Sequence, residues 1–266
     1  MDPLPQAHPA TAHPASSPDS PRTPQYRIEG SGPLLVYVAG LDGTGELFFK
    51  QAPALARSFR VVTYASRGGG GFTYDDLTAD LANIIRDSRE EKATVLGESF
   101  GGTVALSFAL GYPELLERLV IVNSFPRFRG RVRIKLAGVL AKGLPFRALR
   151  PARVAASLLG LYLDGVGRAD RQRFFEAIRS VNGEGYARRL ELIAELDIEK
   201  HLSQIKTATL FIAGERDLLI PSAREARSMA ARMPNAQVRT IPGAGHACLL
   251  GDRVRVAEIL PEWIGS

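Results

Sequence analysis

The 266 residues contain one cysteine, Cys248, so no intrachain disulfide can form. A chain of this length buries roughly three quarters of its unfolded surface and needs no such staple. No apolar run approaches the ~18 residues of a membrane span. Residues 1–24 carry neither a basic start nor an apolar core, so no secretory leader is expected. With the single cysteine, this leads us to expect a cytoplasmic protein. Histidine is scarce as well: there are four, and His8 and His13 fall in the Pro-, Ala- and Ser-rich start of the chain. That composition buries little surface, so residues 1–25 are expected to form a disordered tail with solvated histidines rather than a metal site. No metal or cofactor is expected. Acidic residues are missing altogether between Glu117 and Asp164.

What is present is an ordinary globular balance, 45% apolar and 23% charged, with a formal net charge of +6. Short apolar runs recur at 33–39, 59–64, 93–96, 119–122, 208–213 and 237–241. They are rich in β-branched residues and bounded by Gly, Pro or polar residues, as strands covered on both faces should be. Helical patterns separate them. Thr73 to Asp87 begins with a Thr73–Asp76 capping box and continues as an apolar stripe of Leu77, Leu81, Ile84 and Ile85. Residues 100–110 and 221–233 are further helices. The alternation predicts an α/β fold with a mostly parallel, doubly wound sheet. Residues 127–201 hold helical patterns and no convincing strand. The expected organisation is therefore a core of 26–126 and 202–266, with 127–201 inserted as a helical cap over the sheet's C-terminal edge, where open α/β folds bind ligands.

Residues Gly97-Glu98-Ser99-Phe100-Gly101 match G-x-S-x-G, after a strand-like run and before a helix-like one. Gly97 and Gly101 allow the sharp turn, which lifts Ser99 over the sheet at a helix N-terminus. A serine hydroxyl needs a base to become nucleophilic. Outside the tail only His201 and His246 are available. His201 reads as a solvated helix end. His246 sits in the loop Gly243-Ala-Gly-His246, directly after the last strand, and can reach over the sheet edge. The base in turn needs an acid to fix its tautomer. Asp217 follows a strand end and is preferred over Glu215, which is expected to pair with an arginine. The other place for such an acid, after the strand at 119–122, offers Asn123 and Ser124 and no carboxylate.

Gly-Glu-Ser-Phe-Gly-Gly, Ala-Gly-Glu-Arg-Asp-Leu-Leu-Ile-Pro and Gly-Ala-Gly-His, in that order, resemble the nucleophile elbow, acid loop and histidine loop of the α/β-hydrolase family. The resemblance extends over essentially all of 26–264. The first loop departs from the His-Gly that many members carry: here Ala39-Gly40 precedes Leu41-Asp-Gly-Thr-Gly45. Gly-Leu-Asp-Gly-Thr-Gly is similar to a branch of bacterial hydrolases and plant phytyl ester synthases. By that resemblance the backbone N–H groups of Leu41 and Phe100 form the oxyanion hole. Cys248, two residues after His246, reads as a small buried apolar residue.

A serine nucleophile excludes the chemistries of this fold that need an aspartate nucleophile. The expected function is carboxylic ester hydrolysis through an acyl-enzyme, on a small-molecule ester or acyl substrate. Acyl transfer or thioester hydrolysis on lipid or acyl-CoA substrates is the alternative, and a non-catalytic small-molecule receptor the remote one. The acid-free stretch carries Arg127, Arg129, Arg131, Arg133, Lys135, Lys142, Arg147, Arg150 and Arg153 among apolar residues. That pattern suits an anionic membrane surface or a phosphate-bearing acyl donor; a solvated basic face competes with it. Nucleic acid is not expected, since no binding motif accompanies the charge.

Overall fold

The computed structural model describes residues 24–69, 71–130 and 165–265. The expected tail with His8 and His13 falls almost wholly outside them. So do Arg131, Arg133, Lys135, Lys142, Arg147, Arg150 and Arg153 of the basic stretch.

Seven strands form one sheet: β1 (Tyr26–Glu29), β2 (Leu34–Val38), β3 (Arg60–Tyr64), β4 (Ala93–Glu98), β5 (Leu116–Val122), β6 (Thr209–Gly214) and β7 (Ala236–Ile241). Their spatial order is β1-β3-β2-β4-β5-β6-β7. Six strands run parallel, and β1 pairs antiparallel with β3, Tyr26 opposite Tyr64. Every residue of β2 is buried. Leu34, Val36 and Val38 enter one core and Leu35 and Tyr37 the other, which is why the run reads as continuously apolar. The sequence missed β1, a four-residue edge strand with a single buried residue. β5 also begins three residues before the predicted run.

Helices cover both faces: α1 (Ala52–Leu55), α2 (Tyr74–Asp87), α3 (Phe100–Gly111), α4 (Arg168–Arg179), α5 (Gly183–Glu195), α6 (Ser222–Ala230) and α7 (Val256–Ile264). The capping box of α2 is present: Asp76 N–H donates to Thr73 Oγ1 and the Thr73 N–H to Asp76 Oδ2. Aspartate is long enough here despite the usual glutamate. α6 is shorter at both ends than predicted, starting at Ser222 because Pro221 is its N-cap.

β2 and β3 advance across the sheet in one direction, and β4 then returns to the other side of β2. The crevice beyond the C-terminal ends of β2 and β4 is thus the topological switch point, where such sheets bind ligands.

The described parts of 127–201 are helical, apart from one isolated bridge. That antiparallel bridge joins Arg127 to Asp197, and the Ile198 N–H donates to Pro126 O. The chain therefore leaves and rejoins the core at one point. Arg127 pairs with Asp197, and Arg129 with Glu199 and Glu225. Both described members of the basic stretch are engaged with acids of the protein itself.

Candidate active site

β4 ends at Glu98 and α3 begins at Phe100, so Ser99 alone makes the turn between them. Its φ of 54° and ψ of −117° place it in a region that side-chain-bearing residues rarely adopt. The strain is held from several sides. The Ser99 N–H donates to Val122 O at 2.9 Å, and Ser124 Oγ donates to Ser99 O at 2.7 Å. Close backbone packing explains the flanking glycines. A Cβ on Gly97 would lie 2.4 Å from Gly101 O, and one on Gly101 only 2.1 Å from Val38 O. Glu98, beside the serine, accepts the buried Tyr37 hydroxyl at 2.6 Å.

The loop after β7 carries His246 back over the sheet. Its Nε2 lies 3.0 Å from Ser99 Oγ, and its Nδ1 lies 2.7 Å from Asp217 Oδ2. With Nδ1–H donating to a carboxylate, Nε2 presents its lone pair to the hydroxyl, the tautomer that can accept the serine proton. The Asp217 side chain is fully buried. Burial pushes its pKa up, but the hydrogen bond and charge of His246, with hydrogen bonds from Ser222 Oγ and the Ile220 N–H, hold it below the usual carboxylate value. Its Oδ1 also accepts the Leu219 N–H at 2.9 Å. A carboxylate so fully bonded is ionised and cannot rotate.

Glu215 is exposed and takes no part in this relay. Its predicted arginine partner is not what it meets. Its Oε2 accepts the Gly243 N–H at 3.0 Å, because β6 and β7 are neighbours and their loops touch. His201 is exposed on a short 3-10 helix, Glu199–Gln204. Cys248 is buried.

Sequence reasoning missed two residues that support the acid and the histidine. Ser222, which ties the carboxylate of Asp217, lies just after the acid loop, where the Pro-Ser of a helix start was the only hint. Asn123 was noted only for not being an acid. It is buried, with φ 46°. Its Nδ2 donates to Gly245 O at 3.0 Å and His246 O at 2.9 Å, and its Oδ1 accepts the Gly214 N–H at 2.8 Å. One amide thus fastens the acid loop and the histidine loop to the end of β5. Asn123→Ala removes hydrogen bonds from the buried Gly245 O and Gly214 N–H and from the half-buried His246 O, each worth about 1 kcal/mol net. We expect a destabilisation of about 3 kcal/mol or more in a urea titration. A loss under about 1 kcal/mol would contradict the fastening role.

The loop after β2 approaches the serine from the other side. A Cβ on Gly40 would lie 3.6 Å from Ser99 Cβ. Residues 40–43 form a turn closed by the Gly43 N–H on Gly40 O at 3.1 Å. In a trans peptide the N–H points opposite to the C=O. Turning Gly40 O into the turn therefore aims the Leu41 N–H outward. Phe100 opens α3, whose first N–H groups have no intrahelical acceptor. Among the described residues there is no cluster of three His, Cys, Asp or Glu that would hold a metal. No described helix is long and apolar enough to cross a membrane.

A family model described as alpha/beta hydrolase fold matches residues 33–252. A protein of Serratia proteamaculans (strain 568) named "Putative carbamate hydrolase RutD" is 29% identical over 249 residues, covering 87% of this chain and 91% of its own. A protein of that name from Yersinia enterocolitica is 30% identical over 230 residues, 80% of each chain. The crystal structure of a hydrolase from Pseudomonas aeruginosa PA01 superposes with a TM-score of 0.78 at 25% identity, covering 91% of this chain and 94% of that one.

Proposed function

This chain belongs to the α/β-hydrolase fold family, and from that premise we propose that it is a serine hydrolase cleaving carboxylic esters through Ser99, His246 and Asp217. The observation that carries the proposal is the unbroken relay of 2.7 Å and 3.0 Å from Asp217 through His246 to Ser99. Ser99 Oγ attacks the ester carbonyl carbon while His246 Nε2 takes its proton. The tetrahedral oxyanion meets the N–H groups of Leu41 and Phe100, the kind of preorganised donors that supply the largest electrostatic aid to acyl transfer. Collapse expels the alcohol, protonated by His246, and leaves an acyl-serine. Water, deprotonated by His246, then attacks the acyl carbon, and the carboxylic acid departs with Ser99 restored. Asp217 stays ionised throughout and steadies the imidazolium. Residues 127–201 act as the cap, closed at its base by the Arg127–Asp197 bridge.

The names of the Serratia and Yersinia relatives favour a second substrate for the same machinery, a carbamate. Its carbonyl carbon would pass through a carbamoyl-serine. A panel of p-nitrophenyl esters of increasing acyl length, acyl-CoA thioesters and p-nitrophenyl carbamates separates these classes. We expect ester turnover with kcat/KM at least about tenfold above that for carbamates, and water outcompeting an added alcohol as acceptor. Carbamates turned over in preference would move the assignment to the second substrate. Acyl product formed mainly on the added alcohol would make the protein a transferase. No turnover of any ester, thioester or carbamate would contradict the enzyme assignment.

A further inference from the structure

Arg189, in the middle of α5, is 1% exposed. Arginine is almost never so buried unless its charge and its donors are met. No carboxylate lies within ion-pair distance of it among the described contacts; the guanidinium faces backbone carbonyls instead. Nε donates to Leu41 O at 2.9 Å, one terminal nitrogen to Asp42 O at 3.1 Å and the other to Arg67 O at 3.0 Å. Burial pulls its pKa down to about 10, with the charge of Asp42 foremost in opposing that, so it is a cation at neutral pH.

The placement is specific. Leu41 and Asp42 are the two central residues of the 40–43 turn, the one that aims the Leu41 N–H outward beside Ser99. The fork therefore grips both central carbonyls of that turn. It also lies flat against the turn's last residue: a Cβ on Gly43, at φ +67°, would be 2.5 Å from the guanidinium carbon. The third contact extends the grip. Arg67, whose carbonyl Arg189 holds, is itself forked onto the buried carboxylate of Asp80 at 2.7 and 2.8 Å. The Ser66 N–H donates to Gly43 O at 2.8 Å. The turn is thus pinned from the 66–67 loop and from α5 together.

We propose that Arg189 is a positioning residue for the oxyanion hole, its three-carbonyl grip holding the 40–43 turn so that the Leu41 N–H faces the reacting carbonyl. This rests on the hydrolase assignment above. It also accounts for how a loop without the common His-Gly keeps its shape. Because α5 lies in the inserted segment, the cap carries the clamp of the oxyanion loop. A cap displaced from the core would take that grip with it.

The test uses the full chain and two variants. Arg189→Lys keeps the charge and much of the bulk but cannot fork to three carbonyls. Arg189→Met keeps much of the stem's length and bulk and removes the charge and every donor. The second variant stands in if the first does not fold by circular dichroism. The first readout is amide hydrogen exchange of Gly43 and Ser66, which should accelerate at least tenfold. Unchanged exchange overturns the clamp whatever the enzyme hydrolyses.

The second readout is the kcat ratio for an O-ester against its thiono analogue, whose C=S accepts hydrogen bonds poorly. Misaligning one oxyanion donor should lower kcat on the O-ester about 10²-fold with KM changed less than about threefold, and collapse the ratio toward that of an unassisted reaction. A folded variant with faster exchange but parental kcat and ratio would make Arg189 purely structural and overturn the proposal, with the hydrolase assignment intact. Failure of that assignment shows differently, as turnover in the parent that survives loss of Ser99.

Discussion

Ser99→Ala is expected to leave a folded protein whose kcat on its best ester falls about 10⁴–10⁶-fold, as for loss of a triad nucleophile elsewhere. The fall is in kcat because alanine removes the bond-forming atom and little of the binding surface. Stability should be little changed, since alanine keeps the Cβ and with it the same backbone strain at φ 54°, and the serine side chain caps no backbone group of α3. The one described hydrogen bond of its side chain is that to His246, at 3.0 Å. Residual activity above about one part in a thousand, with the protein free of parental contamination, would mean that another group attacks the carbonyl.

Asp217→Asn is expected to lower kcat about 10⁴-fold, and Glu215→Gln by less than about threefold. Asparagine at 217 brings an N–H to a position where the His246 Nδ1–H, the Ser222 hydroxyl and two backbone N–H groups all seek acceptors. The imidazole then settles with the wrong nitrogen protonated, and Nε2 loses the lone pair that takes the serine proton. Glutamine at 215 keeps an oxygen for the Gly243 N–H. Asp217→Asn also carries a signature in acid. Asp217 has its pKa lowered in the fold, so its contribution to stability is complete above the ordinary carboxylate value of 3.8 and is lost as pH falls through the lower folded value. The stability gap between parent and Asp217→Asn should therefore narrow below about pH 4. Equal kinetic losses at 215 and 217 would contradict the assignment of the acid.

Much of this site is legible in the chain because its parts are local. A G-x-S-x-G between a strand and a helix can be read from five residues. So can a histidine in a glycine loop after the last apolar run. The order of Ser99, Asp217 and His246 follows from strands that are each apolar on both faces. What escapes is whatever depends on a partner far along the chain. Asn123 bonds loops 91 and more residues away, and in sequence it is a polar residue after a strand. Arg189 stands beside Arg188 in an amphipathic helix. Nothing local tells that Arg188 reaches Glu191 on the surface while Arg189 turns inward to the loop of Leu41, 148 residues earlier. β1 was missed because an edge strand with one buried residue lacks the double-sided apolar signal.

Of the nine basic residues between 127 and 153, the two that are described pair within the chain. Arg127 and Arg129 meet Asp197, Glu199 and Glu225, acids from other parts of the chain that no scan of 117–164 would pair with them.

The central claim, that Ser99 is made nucleophilic by His246, is tested most directly by trapping. Incubation of the parent with a fluorophosphonate, followed by intact-mass measurement and peptide mapping, should give one adduct per chain, on the peptide containing Ser99. His246→Ala should slow labelling by at least about 10³-fold while leaving the fold unchanged. An adduct on any other residue, or an ester-hydrolysing parent that the probe neither labels nor inhibits, would contradict it.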